Sequence, residues 1–198
     1  GALRVLNDDT IAAGMGFGTH PHDNMEIITI PLEGDLAHKD SMGNAETIKT
    51  AYVQVMSAGT GIQHSEFNPN ADRRTKLFQI WLFPKVRNVE PRYQQITLDT
   101  TEQKNNFAQI LSPNPDDAGV WIHQDAWFHL ADFDAGFEKQ YELKKEGNGL
   151  YAIVISGNIT IDGQELETRD GLGITDFKTL DIKASTDAKF LLMEIPMG

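Results

Sequence analysis

Two short stretches hold most of the side chains able to grip a metal ion. The first runs Gly14-Met15-Gly16-Phe17-Gly18-Thr19-His20-Pro21-His22-Asp23-Asn24-Met25-Glu26, and the second Gly59-Thr60-Gly61-Ile62-Gln63-His64-Ser65-Glu66. Successive side chains on a strand point to opposite faces. If residues 20–30 are extended, His20, His22, Asn24, Glu26, Ile28 and Ile30 share one face. Ile62, His64 and Glu66 share a face by the same rule. In both stretches ligand types run into aliphatics, which is the expected lining of a barrel with a wet mouth and an apolar floor.

Three imidazoles, with a carboxylate from Glu66 or Glu26, suit a borderline divalent ion. Fe(II), Mn(II), Co(II), Ni(II), Cu(II) and Zn(II) all fit by ligand type. With four protein ligands an octahedral ion keeps two open positions, room for a substrate oxygen and O₂. A structural zinc site would favour cysteine, and the chain has none. A lone histidine is usually just a solvated side chain at a strand end. His-x-His and His-x-Glu, in parity and each preceded by glycines, argue for ligation. Glu26 matches the parity but is not needed as a ligand; it is expected at the pocket wall, as a second candidate base beside Glu66. His38, after a hairpin, is expected to be exposed, and His123 and His129, among aromatics, to be packing residues.

Other chemistries lack their signatures. There is no P-loop, and Gly16-Phe17-Gly18 opens no helix, so no nucleotide fingerprint is present. Ser65 falls on the opposite face from His64 and Glu66, which disfavours a hydrolase triad. The net charge of −12 disfavours direct nucleic-acid binding, because phosphate backbones are bound mainly through Lys and Arg. No window approaches the roughly 18 apolar residues of a membrane span, and no signal-peptide pattern opens the chain. Absence of cysteine fits a cytoplasmic protein without requiring one. Gly1-Ala2-Leu3 lacks an initiator Met, so the N-terminus reads as cut.

The elements that must position these residues read as all-β. Strands are expected at 3–6, 25–32, 36–40, within 47–56, at 60–67, 76–83, 94–98 and 107–111, within 120–133, and across 150–161 and 188–195. Asn7-Asp8-Asp9-Thr10 reads as a turn, residues 14–18 as a glycine-rich bend, residues 36–40 as the hairpin partner of 25–32, and Asp162-Gly163 as a tight hairpin turn. Short strands with frequent turn signals indicate a sandwich or barrel. A weak internal repeat aligns Gly34 with Gly157 and would place Leu143 and Lys145 opposite His20 and His22. The expectation is two similar barrels, with only the first loaded with metal: residues 1–92 as the metal-binding half and 93–198 as the half without ligands.

Gly14-x5-His20-x-His22-x3-Glu26 followed by Gly34 resembles the first cupin motif with one insertion, and Gly59-x4-His64-x3-Asn68 the second. More narrowly, Leu3-Arg4-Val5-Leu6-Asn7-Asp8-Asp9, His20-Pro21-His22, Leu32-Glu33-Gly34, His38-Lys39-Asp40-Ser41 and Ala58 to Glu66 resemble the pirin family. Gln79-Ile80-Trp81-Leu82 and Val89-Glu90-Pro91-Arg92-Tyr93-Gln94 extend the match, which is dense over 3–98 and looser beyond. The resemblance implies a bicupin, two tandem jelly-roll (double-stranded β-helix) barrels. It implies iron, most simply Fe(II), held in the first barrel by His20, His22, His64 and Glu66, and so favours Glu66 over Glu26. Family members also begin with a further N-terminal segment.

Bacterial members of that family carry quercetin 2,3-dioxygenase activity, and eukaryotic members act as nuclear transcription cofactors. The resemblance therefore implies O₂-dependent opening of a small aromatic enol such as a flavonol. The metal would lower the pKa of the substrate hydroxyl, and Glu66 or Glu26 would accept its proton. The competing expectation is a non-enzymatic iron protein whose redox state gates a protein partner. A third is a cupin oxygenase or isomerase acting on another enol.

Overall fold

A computed structural model describes all residues, 1–198. The chain folds into two compact units, Ala2–Leu98 with Gly119–Gln124, and Asp99–Ala118 with Asp125–Gly198. The first contains β1 (Leu3–Ile11), β2 (Gly16–His22), β3 (Glu26–Glu33), β4 (Asp35–Asp40), β5 (Ala45–Lys49), β6 (Tyr52–Ser57), β7 (Ile62–Phe67), β8 (Thr75–Leu82) and β9 (Arg92–Thr97). After a 3₁₀ turn at Thr100–Gln103 come β10 (Ala108–Ser112), β11 (Val120–Trp121), β12 (Trp127–Phe133), β13 (Glu138–Glu142) and β14 (Asn148–Ser156). The chain ends with β15 (Ile159–Ile161), β16 (Gln164–Leu166), β17 (Gly171–Ile174), β18 (Thr179–Ala184) and β19 (Ala188–Pro196). No helix is long and apolar enough to cross a membrane.

Each unit is a two-sheet cupin barrel. In the first, a sheet ordered β1-β8-β3-β6-β9 packs on one ordered β2-β7-β4-β5. Ile11 and Leu77 of the larger sheet meet Leu36 and Ile48 of the smaller at one end. Ile27 and Met56 meet Ile62 at the other. In the second unit β10, β12, β19, β14 and β17 lie side by side, over a sheet ordered β13-β18-β15-β16. Phe133, Phe190 and Leu192 there bury against Tyr141, Leu180 and Ile182. Each fully buried side chain of this size contributes about 1.5–3 kcal/mol.

Several local expectations are corrected. Residues 7–10 are not a turn: they continue β1, which pairs in register with β8 from Leu6↔Ile80 to Ile11↔Thr75. The turn residues lose because the ladder satisfies their backbone. Residues 16–18 likewise belong to β2 rather than to a bend. β4 is not the hairpin partner of β3. It pairs with β5 and β7, while β3 pairs with β6 and β8, so the chain changes sheet at Gly34. Gly34 sits at φ +77, and an added Cβ would meet the Arg74 carbonyl oxygen at 2.9 Å. Gly157 makes the same sheet change at φ +80, against the Asp187 carbonyl. Asp162-Gly163 closes the β15–β16 hairpin with φ +45 and +84, the left-handed pair a type I′ turn needs.

The expected border at residue 92 also moves. β9 pairs with β6 along its whole length, Ser57↔Arg92 to Tyr52↔Thr97, and so belongs to the first barrel. The segment Gly119–Gln124 returns to that barrel as well. Arg92 donates 2.6 Å to the Trp121 carbonyl, with its guanidinium carbon 3.8 Å from the Trp121 ring centroid.

Candidate metal centre

His20 and His64 face each other directly across the β2–β7 ladder, next to the pair His22↔Ile62. An irregularity in the register falls between Phe17 and His20. It spans Gly18, whose carbonyl accepts a 2.8 Å hydrogen bond from His20 Nδ1. A carbonyl cannot donate, so His20 carries its proton on Nδ1 and offers the Nε2 lone pair. The three imidazole rings lie within 4.4–5.0 Å of each other, centroid to centroid. One ligand atom from each of His20, His22 and His64 falls within 4.8 Å of the others.

His64 is 2% exposed, and neither of its ring nitrogens has a hydrogen-bond partner; His22 Nε2 is likewise buried and unpartnered. Burial, reinforced by His20, His22 and His38 nearby, pushes the His64 imidazole down to about 3. Burial, then His20, lowers His22 as well. These two rings are therefore neutral at pH 7, with lone pairs available. Each orphaned buried polar group costs about 1–3 kcal/mol. A divalent cation would satisfy several of them at once, so the residues fit a metal ion.

Glu66, 2% exposed, adds a carboxylate on the same face of β7 as His64. Its Oε2 accepts a 2.7 Å hydrogen bond from Gln79 Nε2, and Gln79 Oε1 accepts one of 3.2 Å from Trp81 Nε1. The Trp81 ring stands edge-on to His22 at 4.8 Å. Burial pushes the Glu66 carboxyl up to about 7, against the opposing pull of the Gln79 hydrogen bond. A cation beside it would restore the charged form.

The structure separates Glu26 from this group. The stretch 20–30 is not one strand: it breaks at Asp23–Met25, with Asn24 at φ +45, and β3 starts in the other sheet. Ile27, not Glu26, faces the barrel interior, where it packs with Met56, Ile62 and Trp81. Glu26 and Ile28 point to the opposite, buried face. There Glu26 Oε2 accepts 2.7 Å from Ser57 Oγ, and Arg92 lies nearby. Burial holds its carboxyl at about 7. The expectations of Glu26 as a base and of Ile28 as a pocket wall are thus corrected; Ile27 and Met56 pack with Ile62 in the buried floor beneath the histidines.

His38 is also corrected. It is 2% exposed rather than solvated, with its ring 5.3 Å from His64 and 5.0 Å from Tyr93. The signal was present as His38-x-Asp40, two same-face residues on β4. His129 packs on Tyr141 at 5.4 Å and His123 on Trp121 at 4.9 Å, as packing residues do.

An open cavity of about 450 Å³ has His22 in its wall, with Pro21, Asp23, Ser41, Gly61, Ile62 and Gln63. A larger one of about 880 Å³ lies in the second unit, with Leu143, Asn148, Phe177, Lys178 and Met197 in its wall. No imidazole lines it. Backbone register shows which residues of the second barrel stand at the corresponding positions. Aligning the two sheet-changing glycines sets Ile161 against His38, and the β15–β18 and β13–β18 ladders then set Ile182, Leu180 and Tyr141 against Glu66, His64 and His20. Leu143, whose N–H bonds the Lys178 carbonyl, stands against His22. The expected partners Leu143 and Lys145 were two residues too far along, because Tyr141 precedes Gly157 by two residues more than His20 precedes Gly34.

Comparison with known proteins agrees with this architecture. Residues 2–82 match the family model described as Pirin, and residues 109–195 match that described as Quercetinase C-terminal cupin domain. The chain is 43% identical to quercetin 2,3-dioxygenase of Escherichia coli K12, over 98% of this chain and 83% of that protein. It is 41% identical to a putative quercetin 2,3-dioxygenase of Pseudomonas aeruginosa, over 98% and 84%. Among solved structures, YhhW from E. coli superposes with a TM-score of 0.94 at 41% identity, covering 98% of this chain and 82% of that one. The same bacterial pirin in complex with nickel(II) gives 0.92 at 40% identity, with the same coverage. The chain belongs to the pirin family.

Proposed function

We propose that this protein is a metal-dependent dioxygenase of the quercetin 2,3-dioxygenase type, with His20, His22, His64 and Glu66 holding one divalent ion. One observation carries the reading: three clustered imidazoles and a buried carboxylate meet beside an open cavity. Relatives named quercetin 2,3-dioxygenase support the reaction class. Fe(II) is the proposed ion, and the nickel(II) complex of the E. coli relative supports a site tolerant of other divalent metals.

When bound, the ion would act as a Lewis acid, acidifying the hydroxyl of a flavonol-like enol and leaving room for O₂. The chain's own groups do the rest. The Gly18 carbonyl aims His20 Nε2 at the centre. Gln79 pins Glu66 Oε2 and so orients the carboxylate, which would take up the hydroxyl proton. Ile27, Met56 and Ile62, with Trp81 packed on them edge-on to His22, form the buried apolar floor beneath the histidines. The cavity open at His22 favours this reading over a purely regulatory iron protein, which needs no room for substrate.

The test is O₂ uptake with quercetin by the metal-loaded chain. Uptake that requires metal and is lost in His64→Ala supports the proposal. Full metal loading with no uptake, beside an active E. coli relative as control, refutes it.

A further inference from the structure

The centre continues past the residues that define the proposed ion site. On the inner faces of three adjacent strands, His20 lies opposite His64, Asp40 opposite His64 on its other side, and His38 opposite Glu66. His38, His64 and Glu66 are each 2% exposed, and one ligand atom from each lies within 4.8 Å of the others. This is the same closeness that unites His20, His22 and His64. An ion bound at about 2.1 Å spaces its donors by at most about 4.2 Å, so small side-chain shifts close either triad.

His38 is held as a ligating histidine is held. Its Nε2 lies 3.2 Å from Asp40 Oδ2. Asp40 is fixed by the backbone N–H groups of Met42 at 2.9 Å and Asn44 at 3.0 Å, and by Asn44 Nδ2 at 2.7 Å. A carboxylate that takes one ring N–H sets the tautomer and leaves the other nitrogen as a lone pair, the arrangement that stands behind metal-bound histidines. The other nitrogen, His38 Nδ1, is buried without a hydrogen-bond partner. A histidine kept only for packing would have no need of that alignment.

From this geometry we infer an inner metal position formed by His38, His64 and Glu66, which the ion reaches by exchanging His20 and His22 for His38. The inference rests on the metal-centre reading above. His64 and Glu66 serve both positions. Two donors of the outer one, His20 and His22, are half-buried, whereas all three donors of the inner one are buried. The inner position is a holding state for the ion, withdrawn from solvent and from substrate.

The test is Ni(II) titration of the folded chain, with circular dichroism as the fold control. The double variant His20→Ala/His22→Ala is expected to keep one Ni(II) per chain, and adding His38→Ala to lose it. In the double variant, Asp40→Asn weakens binding by about 10–100-fold. A folded double variant that takes up no Ni(II), or a triple variant that still holds it, overturns the inference. Should the double variant not fold, His38→Ala alone decides. EDTA then strips Ni(II) at least tenfold faster than from the wild type, and equal rates overturn the inference. A wild-type chain that takes up no metal refutes the proposed function itself, so the two failures are distinguishable.

Discussion

Gln79 donates a 2.7 Å hydrogen bond to Glu66 Oε2, both groups lying inside the first barrel on facing sheets. That bond is the main influence holding down the pKa of a carboxyl that burial raises to about 7. It also leaves the rest of the carboxylate to face the histidines. Gln79→Leu removes the donor with little change in volume. Metal affinity is expected to fall by about 10–100-fold, as when other groups orienting a ligand are lost. Chelator competition measures it, and an unchanged affinity would show that Glu66 is oriented by something else.

Glu26 offers a pH prediction clear of the metal ligands. Its folded pKa of about 7 stands above the ordinary 4.5. Below pH 4.5 the carboxyl is protonated in both states and contributes no penalty. Between pH 4.5 and about 7 the unfolded chain releases the proton while the folded chain keeps it, so stability falls across that window and levels off above it, where the folded chain carries a buried charge. The full loss is on the order of 3 kcal/mol. Glu26→Gln keeps an acceptor for Ser57 and removes the titration. Urea unfolding should show it more stable than the wild type at about pH 8, by about 1–3 kcal/mol, and nearly equal at about pH 4. A gain that does not grow with pH would contradict the assignment.

Much of the site could be read from sequence because it obeys strand parity within single strands. His20 and His22 on β2, and His64 and Glu66 on β7, keep the alternation the sequence displays. Parity fails when carried across a break: Asn24 at φ +45 restarts the count, and Glu26 lands on the far face of another sheet. The local pairing of His38 with Asp40 was legible as same-face spacing on β4, but the nearness of His38 and Gln79 to the centre was not, because it is set by which strands become neighbours. Turn chemistry misled for a related reason: the polar run Asn7-Asp8-Asp9-Thr10 has poor strand propensity, and only the β8 ladder makes it extended.

Gly34 tests the sheet change directly. Alanine there must adopt φ +77 and bring its Cβ to 2.9 Å from the Arg74 carbonyl oxygen. Gly43, at φ +98, has open space where its Cβ would be. Both variants carry the left-handed penalty of about 1–2 kcal/mol, but only Gly34→Ala adds a backbone clash. It is expected to unfold at lower urea than Gly43→Ala, and equal midpoints would mean that the β3–β4 crossing tolerates displacement.

Glu194 is a hydrogen-bonding hub of the second barrel. It is fully buried, and it accepts from Tyr141 Oη at 2.9 Å, Lys144 N at 2.8 Å, Lys145 N at 3.0 Å and Asn148 Nδ2 at 2.9 Å. The carboxylate thus ties the 143–148 loop to β19 and caps Tyr141, which stands at the position of His20. Glu194→Ala strands the buried donors of Tyr141 and Asn148 and releases the backbone N–H groups of Lys144 and Lys145. A loss of about 3–5 kcal/mol is expected, the range for breaking a buried charged network, with faster hydrogen exchange at Lys144 and Lys145. Ni(II) stoichiometry should stay unchanged, since none of these groups lines the histidine centre. A variant that loses metal but not stability would reverse that division of labour between the barrels.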